Sequence, residues 1–72
     1  MLNRYNELCE LANRAAYFGD LQAEWVCELL QTGNYTASEL AMAIAERDAW
    51  RFEEESCREA ARKVYAAWRA TA

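Results

Sequence analysis

The sequence predicts an all-α protein, a small three-helix domain with a long C-terminal helix. Two observations carry that prediction. The 72 residues hold no proline and only two glycines, Gly19 and Gly33, and apolar residues recur at steps of three and four rather than alternating. Abundant Ala, Leu, Glu and Arg point the same way.

The first helix is expected over about 2–18. Tyr5, Leu8, Cys9, Ala12, Ala15 and Ala16 share one side, while Glu7, Glu10, Asn13 and Arg14 hold the other. Gly19 reads as a left-handed cap that closes it, and Asp20 as the N-cap of a second helix over about 21–31. In that helix Leu21, Trp25, Val26, Leu29 and Leu30 are expected inward, and Glu24, Glu28 and Gln31 toward water. It stops at "TGN", where Gly33 and Asn34 tolerate a positive φ.

The third helix is expected over about 37–70. It opens on "TASE", a capping-box pattern in which the Thr36 hydroxyl accepts from the Glu39 amide and the Glu39 carboxylate reaches back to the Thr36 amide. Placing residues about 100° apart puts Ala37, Leu40, Ala41 and Ile44 on one side, with Phe52 near their edge. Trp50, Cys57, Ala61, Val64 and Trp68 form a second stripe, turned from the first by roughly 140° on the same projection. A bend at Arg47-Asp48, with Asp48 as a new cap, would bring both stripes to one core. No glycine or proline marks such a bend, so the pattern leaves a continuous rod and a kinked helix both open. Glu54 with Arg58, and Glu59 with Lys63, are expected i, i+4 pairs. The "EEE" run at 53–55 reads as a solvated face, because consecutive helical residues diverge by about 100° and cannot converge on a cation.

A chain of this length is one domain, 1–72, and such a domain buries only about 60% of the surface its unfolded chain exposes. Its core is therefore expected to need completion. Cys9, Cys27 and Cys57 are odd in number and include no C-x-x-C, so they suggest neither a disulfide framework nor a zinc site. No segment approaches the roughly 20 apolar residues of a membrane span, and the start carries no apolar run of signal-peptide length. The expected setting is cytoplasmic, with no membrane association.

Net charge is −4, unevenly placed. Seven acids face Arg4 and Arg14 up to Glu46, whereas six basic residues face five acids from Arg47 onward. Glu7, Glu10, Asp20, Glu24 and Glu28 are the candidate acidic, partner-facing surface, suited to a basic protein or to imitating a phosphate backbone.

The chain contains no histidine, no glycine-rich phosphate loop and no base beside a cysteine, so no enzyme activity, catalytic residue, metal site or cofactor is expected. The stretch "WVCELLQTGNYTASELAMAI" resembles the first half of a helix-turn-helix, which implies a basic recognition helix immediately C-terminal to it. The next sixteen residues instead read "AERDAWRFEEESCREA", and their acids oppose phosphate attraction. Arg47, Arg51, Arg58, Arg62 and Lys63 are the contact set a DNA-binding regulator would have to use.

Trp50, Cys57, Ala61, Val64 and Trp68 admit two roles, the core face against the first helix or an interface to a second copy or another protein. The expected function is protein–protein contact as a homodimer, with a basic or apolar protein surface as partner. In size and style the chain resembles the small acidic regulators and inhibitors encoded by phages and plasmids, anti-CRISPR proteins among them. A degenerate helix-turn-helix regulator and a structural subunit of a larger assembly are the competing classes.

Overall fold

The computed structural model describes residues 2–71 and consists of two helices, α1 (Asn3–Thr32) and α2 (Ala37–Thr71). The all-α expectation holds, but two helices stand where three were expected. Helix α1 runs straight through Gly19 and Asp20 for 30 residues. Gly19 is buried inside it, and the one positive φ among the described residues belongs to Gly33, at 68°. Asp20 caps nothing. Helix α2 continues through Arg47 and Asp48 for 35 residues without a break.

The turn between the helices follows local chemistry. Gly33 takes the left-handed conformation and its N–H donates to the Leu29 carbonyl at 3.0 Å. The Thr32 hydroxyl donates to the same carbonyl at 3.2 Å. The capping box then starts α2: the Glu39 N–H donates to Thr36 Oγ1 at 3.1 Å, and the Thr36 N–H donates to Glu39 Oε1 at 3.4 Å. These contacts reverse the chain within four residues, 33–36.

The helices therefore lie side by side and antiparallel. Tyr5 meets Tyr65 at 5.6 Å between ring centroids, Phe18 meets Trp50 at 5.0 Å, and Val26 and Leu29 cluster with Ala43. The molecule measures 56 × 14 × 13 Å, and its radius of gyration of 16.4 Å far exceeds the roughly 11 Å of a compact chain of this length. It is a rod two helices thick.

The seam follows a heptad rhythm of alternating three- and four-residue steps. On α1 the buried or half-buried line is Tyr5, Leu8, Ala12, Ala15, Gly19, Gln22, Val26 and Leu29. On α2 it is Leu40, Ala43, Arg47, Trp50, Glu54, Cys57, Ala61, Val64 and Trp68. This continuity explains part of the apparent turn between the two stripes. A strict heptad line drifts by about 20° per repeat on a 3.6-residue projection. Arg47 and Glu54 also occupy seam positions and hide the apolar pattern there. Ala37 and Ala41, assigned to the first stripe, are exposed, and Phe52 lies on the outer face at 72% exposure.

The core is thin. Its buried apolar residues are Leu8, Ala12, Ala15, Val26, Leu29, Ala43, Cys57 and Ala61, half of them alanine. Small residues let the helices approach closely, and large residues sit opposite small ones. A side chain at Gly19 would begin 3.4 Å from Trp50 Cβ and 3.2 Å from an Arg51 guanidinium nitrogen. The inward expectation fails for Leu21, Trp25 and Leu30, exposed at 43%, 49% and 53%. That expectation depends on a helix starting afresh at Asp20, whereas the heptad of α1 carries on from Leu8 and selects Val26 and Leu29.

Candidate functional site

The geometry divides the rod into a seam, two outer faces and two flanks. The candidate interface set falls on the seam, and the acidic and basic sets are divided among the other surfaces.

Of the candidate interface set, Cys57 and Ala61 are buried against α1, and Trp50, Val64 and Trp68 are half-buried on the same line. Trp50 stacks on Phe18 with ring planes 28° apart, and Trp68 lies 5.7 Å from Tyr65, which in turn reaches Tyr5. The stripe is turned onto the chain's own first helix. Burial raises the Cys57 thiol above its ordinary pKa, and the nearby Glu53 carboxylate, which accepts the S–H at 3.7 Å, adds to the shift. Such a thiol is a packing group rather than a nucleophile.

The acidic set divides. Glu10, Glu24 and Glu28 lie on the outer face of α1, opposite the seam, and are exposed. Glu7 pairs with Arg4 at 3.4 Å. Asp20 leaves the group altogether: its carboxylate meets the Arg51 guanidinium at 2.9 Å, linking α1 to α2.

The arginines of the nucleic-acid set are engaged within the chain. Arg47 pairs with Asp48 at 3.0 Å, Arg51 with Asp20, Arg58 with Glu54 at 2.9 Å, and Arg62 with Glu59. The Glu54–Arg58 pair is the expected one, whereas Glu59 turns to Arg62 instead of Lys63. The Arg62 hydrogen bond holds the Glu59 carboxyl below its usual range. Lys63 sits apart on the outer face of α2, beside Phe52 and Glu59. The segment resembling a helix-turn-helix is the end of α1, the turn and the start of α2, running antiparallel. A helix-turn-helix would instead set its helices at about 90–120°.

Sequence reasoning missed the two flanks beside the seam. One carries Cys9, Ala16 and Ala23 on α1 and Ile44, Arg51, Arg58 and Tyr65 on α2, each set at seven-residue intervals. There long α2 side chains cross over small α1 residues, as Arg51 does above Gly19 to reach Asp20. The other flank carries Leu11, Phe18 and Trp25 on α1, also at seven-residue intervals, with Glu46, Glu53, Ala60 and Ala67 on α2 at the same intervals and Met42 and Ala49 beside them. Leu11, Trp25 and Met42 are exposed at 42%, 49% and 65%. A shallow depression between Trp25, Met42, Ala43 and Glu46 shows that the two helices share this surface. The signal was present in the sequence as the 11, 18, 25 spacing, but the helix boundary assumed at Gly19 cut it in two.

Among the described residues no group of carboxylates and thiols is placed to hold a metal ion, and no helix is long and apolar enough to cross a membrane. No protein-family model, curated protein or solved structure matches the chain.

Proposed function

We propose that this protein works by binding another protein, as a small acidic helical regulator or inhibitor of the kind that phages and plasmids encode, anti-CRISPR proteins among them. The observation that carries the reading is the bare flank. Leu11, Trp25 and Met42 present large apolar side chains to solvent on a rod half of whose own core residues are alanine. Monomeric soluble proteins rarely leave extensive apolar patches uncovered, and such patches mark association surfaces. The exposed Glu10, Glu24 and Glu28 on the adjoining outer face favour a basic approach to a partner and speed the encounter.

A structural subunit of a larger assembly is a second reading, supported by the same thin core. The DNA-binding alternative draws no support from the arginines, because Arg47, Arg51, Arg58 and Arg62 each already face a carboxylate of the chain.

The test is affinity capture of the tagged protein from nuclease-treated lysate of its source cells, beside a Leu11→Glu/Trp25→Glu variant and a Glu10→Lys/Glu24→Lys/Glu28→Lys variant. A stoichiometric protein retained by the native chain and lost by either variant is the expected result. Salt-sensitive retention of nucleic acid alone, unaffected by the flank variant, would overturn the reading.

A further inference from the structure

We infer that the bare flank is occupied by a second copy of this chain, forming a parallel four-helix bundle with both turns at the same end. The inference rests on the binding reading above: a second copy takes the bare flank, and the exposed Glu10 and Glu24 of the outer face are left to a further partner.

The first argument is shape. Register within the hairpin is fixed by Phe18 against Trp50, Asp20 against Arg51 and Tyr5 against Tyr65, so residues at one height have numbers summing to about 70. On that scale Leu11 stands level with Ala60, and Trp25 falls between Met42 and Ala49. The flank is thus large on α1 and, apart from Met42, Glu46 and Glu53, small on α2. A two-fold axis along the rod lays α1 of each copy over α2 of the other at equal height, seating Leu11 on Ala60 and Trp25 between Met42 and Ala49 of the second copy. Large side chains meet small ones along the bundle, as they do across the seam within each chain.

Charge at mid-rod favours this arrangement over the reverse one, although the same register sets Glu28 near Glu39 of the second copy. At equal height Arg14 approaches Glu53 of the second copy, and Glu7 approaches its Lys63. Turning the second copy end for end would lay α2 over α2 and set the two Glu53 carboxylates near each other at mid-rod. Area agrees as well. A flank 56 Å long and 14 Å wide offers on the order of 800 Å² per copy, the size of a standard stable interface.

The deciding measurement is sedimentation equilibrium of the full chain across micromolar concentrations, with helix content followed by circular dichroism. The expected mass is twice the 8.3 kDa of one chain. Leu11→Glu/Trp25→Glu should weaken association by more than about a hundredfold, because it buries charge at the centre of the contact. Arg62→Glu, on the other side of the rod, should leave it unchanged. Arg14→Glu should weaken the dimer by roughly fivefold, and adding Glu53→Arg should restore it. Both of these are exposed helical positions, so this pair remains decisive if the double glutamate variant loses its helix. A chain that is monomeric and helical throughout overturns the second-copy assignment and leaves the binding reading standing on the capture experiment. A dimer indifferent to Arg14 and Glu53 together overturns the parallel arrangement.

Discussion

The two flanks of the hairpin share one backbone and one heptad yet finish the seam in opposite ways. On one, Arg51 lies over Gly19 of α1 and ends on Asp20, while Arg58 ends on Glu54 of its own helix. Their aliphatic stems shield the seam while their charged ends stay wet. On the other, Phe18 stacks on Trp50, whereas Leu11 and Trp25 stay exposed at 42% and 49%. Covering a seam requires length on one helix and smallness on the other within the same chain. The bare flank has both, yet Leu11 and Trp25 stay exposed on it.

The largest effect is expected at the seam that both flanks share. Leu29, 5% exposed and packed with Val26 and Ala43, belongs to the best-filled part of the core. Leu29→Ala should cost about 2–5 kcal/mol in denaturant unfolding and should erase the distinction between the flanks by unfolding both. Next comes Gly19→Leu, which must push Trp50 and Arg51 aside and should cost about 1–3 kcal/mol. Gly19→Ala should stay near neutral, since a helix-propensity gain of about 1 kcal/mol offsets the displacement of a flexible guanidinium.

A smaller effect is expected from stripping the covered flank. Arg51 and Asp20 are solvent-accessible, at 43% and 69% side-chain exposure, so Arg51→Ala should cost at most about 1 kcal/mol, and less as salt is added. A loss of several kcal/mol at low salt would mean that the arginine cover holds the helices together. The smallest effect concerns thiol reactivity. Alkylation at pH 7 should modify exposed Cys27 first, half-buried Cys9 next and buried Cys57 last. Because folding raises the Cys57 pKa, its stabilising contribution is present below the ordinary thiol value of about 8.5 and fades as pH rises toward the folded value. Denaturation midpoints should therefore fall on the alkaline side, and Cys57→Ser should flatten that slope.

Local chemistry was legible in the sequence and distant contact was not. Thr36 and Glu39 are three residues apart, and Gly33 and the Leu29 carbonyl that close α1 are four apart, so each acts through its neighbours alone. Glu54 and Arg58 likewise meet within one turn. Gly19 misled because its role depends on Trp50, 31 residues away: the missing side chain serves a close helix approach, not a chain reversal. The set Trp50, Cys57, Ala61, Val64 and Trp68 was visible as one line, but its orientation depends on where α1 comes to lie. Arg47 and Glu54 concealed the rest of the line, since charged residues at seam positions look like surface until their stems are seen to pack. The flank of Leu11, Phe18 and Trp25 became readable only once α1 was continuous.

The position of the single turn also fixes how the molecule assembles in time. Contacts lengthen steadily away from it, from 11 residues of separation between Leu29 and Leu40 to 60 between Tyr5 and Tyr65. The entropy of closing each successive pair grows only logarithmically once the previous pair has formed. The chain can therefore close like a zipper that starts at Gly33 and finishes at the aromatic pair beside its two ends. Opening runs the other way, so thermal fraying begins at Tyr5 and Tyr65, and the turn is the last part of the rod to let go.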